Sequence, residues 1–219
     1  MFVWSAAAFL SMTYLQSVLG LSVLGSAVLA IPGAMVLMSA CVFAPRLVER
    51  IGARHALIVC HFTIALGMAL LLLTGERGGV VFYVASTVVA GVGFGISFAL
   101  VADTAVGAVP ESRAATAGAI AETSNEIGNA LGIALLGSLA TVVFRATYRG
   151  GETGINEVID AAGVGSAAFG QARAAFLDGY HVAVGVAGVV CVGLAVLALR
   201  WIPKQSHGAV EETARASRS

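Results

Sequence analysis

The first 45 residues contain no Asp, Glu, Lys, Arg or His, and the first charge in the chain is Arg46. A soluble domain must present polar groups to water along each of its elements, whereas a lipid bilayer takes apolar helix on all sides. A run this long therefore suits two spans of roughly 20 residues with a turn between them. The remainder agrees, with 58% hydrophobic and 11% charged residues against the roughly one quarter charged of soluble domains, and a mean hydropathy of +0.93. The predicted class is an all-α polytopic membrane protein. A formal net charge of zero gives no reason to expect nucleic acid as a partner. Cys41, Cys60 and Cys191 lie in apolar stretches without CxxC or Cys/His spacing, and read as small buried hydrophobes. The start, MFVWSAAAFL, lacks a basic n-region and continues as an apolar run, so it reads as a span and not as a signal peptide.

Hydrophobic runs and their interruptions predict six helices, at about 2–18, 25–43, 56–73, 80–101, 114–144 and 180–201. The first turn falls near Leu19 to Ser22, and Pro32-Gly33 predicts a kink in the second helix. A basic loop, Pro45 to His55, separates the second helix from the third, and a tight loop with Glu76 and Arg77 separates the third from the fourth. The segment from Arg145 to about Asp178 is a long loop with a short surface helix expected around Ile155 to Ala162, and residues 203–219 read as a disordered polar tail. Arg46, Arg50, Arg54, Arg113, Arg200, Lys204, Arg215 and Arg218 fall on one side of this arrangement, and Arg77, Arg145, Arg149 and Arg173 on the other. The excess of basic residues marks the cytoplasmic side, which puts both ends of the segment inside and the long loop outside.

One helix carries acids. Arg113 to Ser138 reads RAATAGAIAETSNEIGNALGIALLGS, and Glu122, Asn125, Glu126 and Asn129 follow the spacing i, i+3, i+4, i+7 that puts them on one helix face. Ala114 to Phe144 is about 46 Å of helix at 1.5 Å per residue, so the acids fall between the inner headgroups and about one turn of depth. A charge at the bilayer centre costs about 2.5 to 3.5 kcal/mol, and a desolvated carboxyl holds its proton more tightly. Facing a cavity, such a pair loads and releases protons and competes for them with an apolar cation. Facing cytoplasmic water, the same acids simply favour the positive start of the helix. The residues alone leave both readings open.

The stretch VPESRAATAGAIAETSNEIGNALGIALLGS, with TYLQSVLGLS near the start and AGVGFGISFAL in the fourth helix, resembles the second half of the 14-helix drug:proton antiporters of the major facilitator superfamily. The subgroup it looks most like exports quaternary-ammonium and other lipophilic cations. The loop LVERIGARHAL is similar to the superfamily motif GxLADRxGRRxxL: Glu49, Arg50, Gly52, Arg54 and Leu57 match, Pro45 replaces the leading glycine, and Ala53 replaces a basic position. The resemblance implies a six-helix C-terminal bundle, residues 1–202, that works against a matching N-terminal bundle with the substrate cavity between them. It implies proton or cation coupling at Glu126 and Glu122 and cavity lining by Asn125 and Asn129. Glu49, Arg50, Gly52, Arg54, Asp103 and Arg113 become gating positions at the cytoplasmic ends, where cations meet helix termini and carboxylates. Ordinary positive-inside anchoring is the plainer account of these basic residues. The second helix has no acid, so a membrane carboxylate expected there is missing.

Other features point to packing. GVGFG at 91 to 95 follows no strand and lies inside an apolar span, so it reads as close helix contact and not as a dinucleotide fingerprint. His61 and His181 are isolated, and His181 beside Tyr180 reads as an interfacial anchor. Tyr14, Tyr83, Phe94 and Phe98 either line a cation cavity or face lipid. No HExxH, GxSG or paired histidines support an intramembrane protease, and neither an enzyme activity nor a cofactor is expected. The functional expectation is the C-terminal half of a proton-coupled exporter of lipophilic cations in the cell membrane, with protons, drug-like cations, lipid and an N-terminal bundle as partners. A carrier for another solute and a non-transporting scaffold are the alternatives. With its first helix flush with Met1, the chain is expected to be a fragment of a roughly doubled protein, or a half that pairs with another subunit.

Overall fold

The structure is a computed structural model describing residues 1–107 and 109–201. It is helical throughout, and four of its helices are long and apolar enough to cross a membrane: Val23–Leu71, Gly79–Val101, Ala114–Thr147 and Ala167–Trp201. Helix α1 (Phe2–Thr13) continues as one wider turn of π-helix, Tyr14–Val18. The chain turns at Gly20 (φ +70°), and Ser22 opens helix α2 (Val23–Leu71) by accepting a hydrogen bond from the Gly25 amide at 3.0 Å. Helix α3 (Gly79–Gly107), a short 3-10 turn (Glu111–Arg113), α4 (Ala114–Thr147), α5 (Ile155–Ala162) and α6 (Ala167–Trp201) follow.

The basic stretch between the second and third predicted helices is not an open loop. Helical backbone runs through Pro32 and Pro45, and within α2 the one non-helical residue is Gly52, at φ 78°, ψ 154°. That region of backbone space is essentially open to glycine alone, so a single residue makes the corner. The two limbs of α2 fold back alongside each other, with α3 against both. A Cβ on Gly91 would lie 2.8 Å from the Gly33 carbonyl, one on Gly33 2.5 Å from Thr87, and one on Gly67 2.6 Å from Ala90. Gly95 meets the Leu37 carbonyl and Gly93 the Cys60 carbonyl just as closely. The glycines of AGVGFG thus serve both faces of α3, because contact between helices in lipid depends on close van der Waals approach. Gly33 lies within the helical first limb of α2 as a contact residue against Thr87.

Helix α6 begins at Ala167 and not at Tyr180. The Ser166 hydroxyl accepts from the Phe169 amide at 3.0 Å, and Phe169, Ala172, Ala175 and Leu177 are buried against the neighbouring elements. Asp178-Gly179, which reads as a boundary in the sequence, is helical, and Gly179 lets α6 approach the Ala140 carbonyl of α4. On its other side α6 meets the second limb of α2, where a Cβ on Gly188 would touch Met68 at 3.4 Å. Helix α3 likewise continues past Val101 and carries Asp103 within its exposed end. Residues 203–219, expected to be a disordered tail, lie outside the described residues.

One end of the molecule is tied by polar contacts around the π-turn. Tyr14 donates to the Gly75 carbonyl at 2.6 Å, stacks on Tyr180 at 5.5 Å between centroids, and lies over the buried Ser11 to Tyr180 hydrogen bond of 2.9 Å. The His181 Nε2 donates to the Thr74 carbonyl at 2.9 Å, Ser17 donates to Asn156 at 2.7 Å, and Arg173 pairs with Glu76 at 3.9 Å. This end gathers Arg77, Arg145, Arg149 and Arg173. The opposite end gathers Met1, the Gly52 corner, the end of α3 and the start of α4. For the described residues, the partition of charges read from the sequence is thus a partition in space.

Candidate functional site

Helix α4 lies against α1 with the two helices running in the same direction. The contact is set by small residues: a Cβ on Gly128 would lie 3.5 Å from that of Met1, and Gly132 meets the Phe2 carbonyl and the Ser5 hydroxyl, the latter at 2.9 Å. Ser5 donates to the Asn129 carbonyl at 3.0 Å, locking the register of the two helices. Toward the Met1 end the seam opens into a cleft of about 410 Å³ lined by Met1 and Trp4 of α1, Phe98 and Val101 of α3, and Gly118, Ala121, Glu122, Asn125, Glu126 and Asn129 of α4.

All four polar residues picked out by spacing therefore line one cleft, as a helix period requires of i, i+3, i+4, i+7. Glu122 and Glu126 are exposed, while Asn125 and Asn129 are half-buried between them and the α1 contact. The side-chain oxygen of Asn129 is buried with no hydrogen-bond partner, a costly arrangement for a polar group and one a ligand or proton donor would relieve. Measured along the axis from Ala114, Glu122 sits about 12 Å and Glu126 about 18 Å into the helix. Two carboxylates one helical turn apart, the amides of Asn125 and Asn129 beside them, and the rings of Trp4 and Phe98 make a surface with the chemistry to accept protons and to meet a cation.

The aromatic wall differs from the sequence expectation. Phe98 lines the cleft, but Tyr14, Tyr83 and Phe94 are buried in the core. Trp4, not singled out by the sequence, lines the cleft and packs edge-on against Phe94 at 4.8 Å. Its only sequence signal is a tryptophan one turn into the first span, which reads equally well as an interfacial anchor.

The residues of the loop motif sit apart from the cleft. Gly52 forms the corner. Arg54, half-buried beside it, donates through Nη2 to the carbonyl of Leu199 near the end of α6, an arrangement in which a cation meets the negative end of a helix. Its Nε is buried without a partner. Glu49, Arg50, Asp103 and Arg113 are exposed, and none of them forms an ion pair among the described residues. In this conformation the helix terminus holds Arg54, and the carboxylates of Glu49 and Asp103 do not. His181 bonds to the Thr74 carbonyl at 2.9 Å, and His61 bonds back to the Leu57 carbonyl at 2.8 Å.

Two comparisons bear on this geometry. Residues 1–133 match the family model of the Major Facilitator Superfamily, a stretch that runs from α1 through the whole polar stripe of α4. Over 133 residues the chain is 33% identical to the multidrug efflux pump LfrA of Mycolicibacterium smegmatis, covering 61% of this chain and 26% of that protein. The matched stretch thus spans about a quarter of that relative's length. The family model covers more than half of the chain, and its apolar helices are long enough to cross a bilayer as those of a multi-pass membrane protein: the chain belongs to the Major Facilitator Superfamily.

Proposed function

We propose that the chain is the C-terminal half of a proton-coupled exporter of lipophilic or cationic drugs, with residues 1–202 forming a six-helix bundle. The spans are α1 with its π-turn, the two limbs of α2 on either side of Gly52, α3, α4 and α6. The observation that carries this reading is the shared cleft of Glu122, Asn125, Glu126 and Asn129. An acid in the bilayer is tolerated where it faces a cavity or a partner, and this cleft is bounded by helices of one bundle only. A facing N-terminal bundle would complete it and bring the carboxylates into a drier space, where proton and cation compete for the same negative charge. Glu126, one turn further in, is the principal coupling residue and Glu122 its companion at the mouth, with Asn125 and Asn129 lining the path. The excess of basic residues counted in the sequence on the Arg46 to Arg54 side supports both ends of the segment lying in the cytoplasm of a cell-membrane protein. Arg54, on the end of α6, is the gating contact; the carboxylates of Glu49 and Asp103 are the partners that would accept it when the bundle rocks, and Arg50 and Arg113 are further cations for those acids and helix ends.

The test is transport by the full-length protein in everted membrane vesicles. An imposed proton gradient is expected to drive accumulation of a fluorescent lipophilic cation. Glu126→Gln is expected to slow it at least tenfold, and Glu122→Gln with Glu126→Gln to abolish it. Undiminished proton-driven transport by the double variant would remove these acids from the mechanism, and absence of transport of any cation would leave a scaffold or a carrier for another solute.

A further inference from the structure

The seam between α1 and α4 opens at both of its ends. Past the tight contact at Gly132, the same face of α4 continues through Leu136, Ala140 and Phe144 at helical spacing, and there a second cleft of about 300 Å³ lies beneath α5. Its walls include Phe9 and Thr13 of α1, Thr141 and Phe144 of α4, Phe176 of α6, and Glu157 of α5. Phe9 is 51% exposed although it lies in the bundle's seam.

We infer that this outer cleft is a binding site for a lipophilic monovalent organic cation, with Glu157 as its countercharge and Phe9, Phe144 and Phe176 as its walls. Aromatic faces attract cations and apolar rings alike, and a volume of this size suits a small drug-like molecule. Glu157 is held in place: its Oε2 accepts from the Thr153 amide and its Oε1 from the Thr153 hydroxyl, both at 2.7 Å. These donors keep the carboxyl below the usual glutamate range, so it is ionised at neutral pH. A phosphate or carboxylate ligand would meet the π faces and this acid with the wrong sign. Arg145 is the basic side chain whose field reaches Glu157, and it opposes a bound cation. Two cation clefts then sit on one helix face, separated by the Gly132 contact, as a compound crossing along this seam requires. The ligand class rests on the exporter reading above, but the site does not depend on transport.

The experiment measures equilibrium binding of ethidium, by fluorescence anisotropy, to the full-length protein in detergent. It is done on the variant carrying Glu122→Gln and Glu126→Gln, so that the inner carboxylates are gone. Saturable binding is expected to persist there. Adding Glu157→Gln should weaken it about fivefold, and adding Arg145→Gln should tighten it. Phe176→Ala should weaken both ethidium and an uncharged probe of the same shape, whereas Glu157→Gln should leave the uncharged probe unaffected. The proposal is overturned if the inner variant shows no saturable ethidium binding, if Glu157→Gln leaves ethidium affinity unchanged, or if both probes weaken together on that substitution. Binding with this charge signature but no vesicle transport would sink the exporter reading and leave the site standing.

Discussion

Glycine 132 shows how little space some residues have. Its missing side chain is what lets α4 reach the Phe2 carbonyl and the Ser5 hydroxyl, and every cleft residue on α4 takes its position from that contact. Gly132→Val is expected to force the α1–α4 seam apart, with a loss of folded protein measurable as a lower Tm in detergent. Further along the same helix, a Cβ placed on Gly137 would meet no atom within 4 Å. Gly137→Ala is therefore expected to raise the same Tm slightly, by the roughly 1 kcal/mol that glycine costs within a helix. In the sequence both glycines lie in the same largely apolar helix stretch, and local composition does not say which one meets a neighbour. Glu122 and Glu126 are the opposite case, because their spacing alone put them on one face with Asn125 and Asn129. What spacing could not supply was Trp4, whose place in the cleft depends on how α1 is turned.

At the scale of elements, the Gly52 corner and the start of α5 are the joints most open to test. An alanine at Gly52 would have to adopt φ 78°, ψ 154°, at a cost of about 1 to 3 kcal/mol. Gly52→Ala is thus expected to splay the limbs of α2 and displace Arg54 from the Leu199 carbonyl, seen as increased cysteine-labelling of a probe site at Ala53. The joint at α5 carries a pH dependence. The Thr153 amide and then its hydroxyl, with a smaller push from Arg145, hold the Glu157 carboxyl below its usual value. A depressed carboxyl stabilises the fold above the ordinary glutamate range, and that contribution is lost as pH falls through the lowered value. Amide exchange of residues 153–160, corrected for intrinsic rates, is expected to lose protection on acidification in that window, and Glu157→Gln to remove the dependence. The short helix itself was legible from apolar residues at Ile155, Val158 and Ile159, whereas the start of α6 was not. Asp178-Gly179 carries the ordinary signal of a helix boundary, and only the packing of Phe169, Ala172 and Ala175 overrides it.

For the molecule as a whole, the two ends defined by the structure are a prediction about topology. On the proposed orientation, a cysteine replacing Arg77 is expected to react with an impermeant reagent added outside intact cells, and one replacing Arg46 only after the cells are opened. The reverse pattern would invert the protein. The exposed row on the first limb of α2, with Val28, Ile31, Met35, Met38 and Val42, is what a lipid-facing surface requires, since tails of lipid replace the water that would make such a row costly. By itself the sequence determined the membrane class, the helical character and the polar face of α4, because each follows from local hydropathy or from a fixed helical period. The tertiary structure decided which glycines are contacts, that one residue turns α2 back on itself, that Arg54 rests on a helix end, and that the α1–α4 seam opens into two clefts. Those depend on distances between residues far apart in the chain, and neither hydropathy nor spacing carries that information.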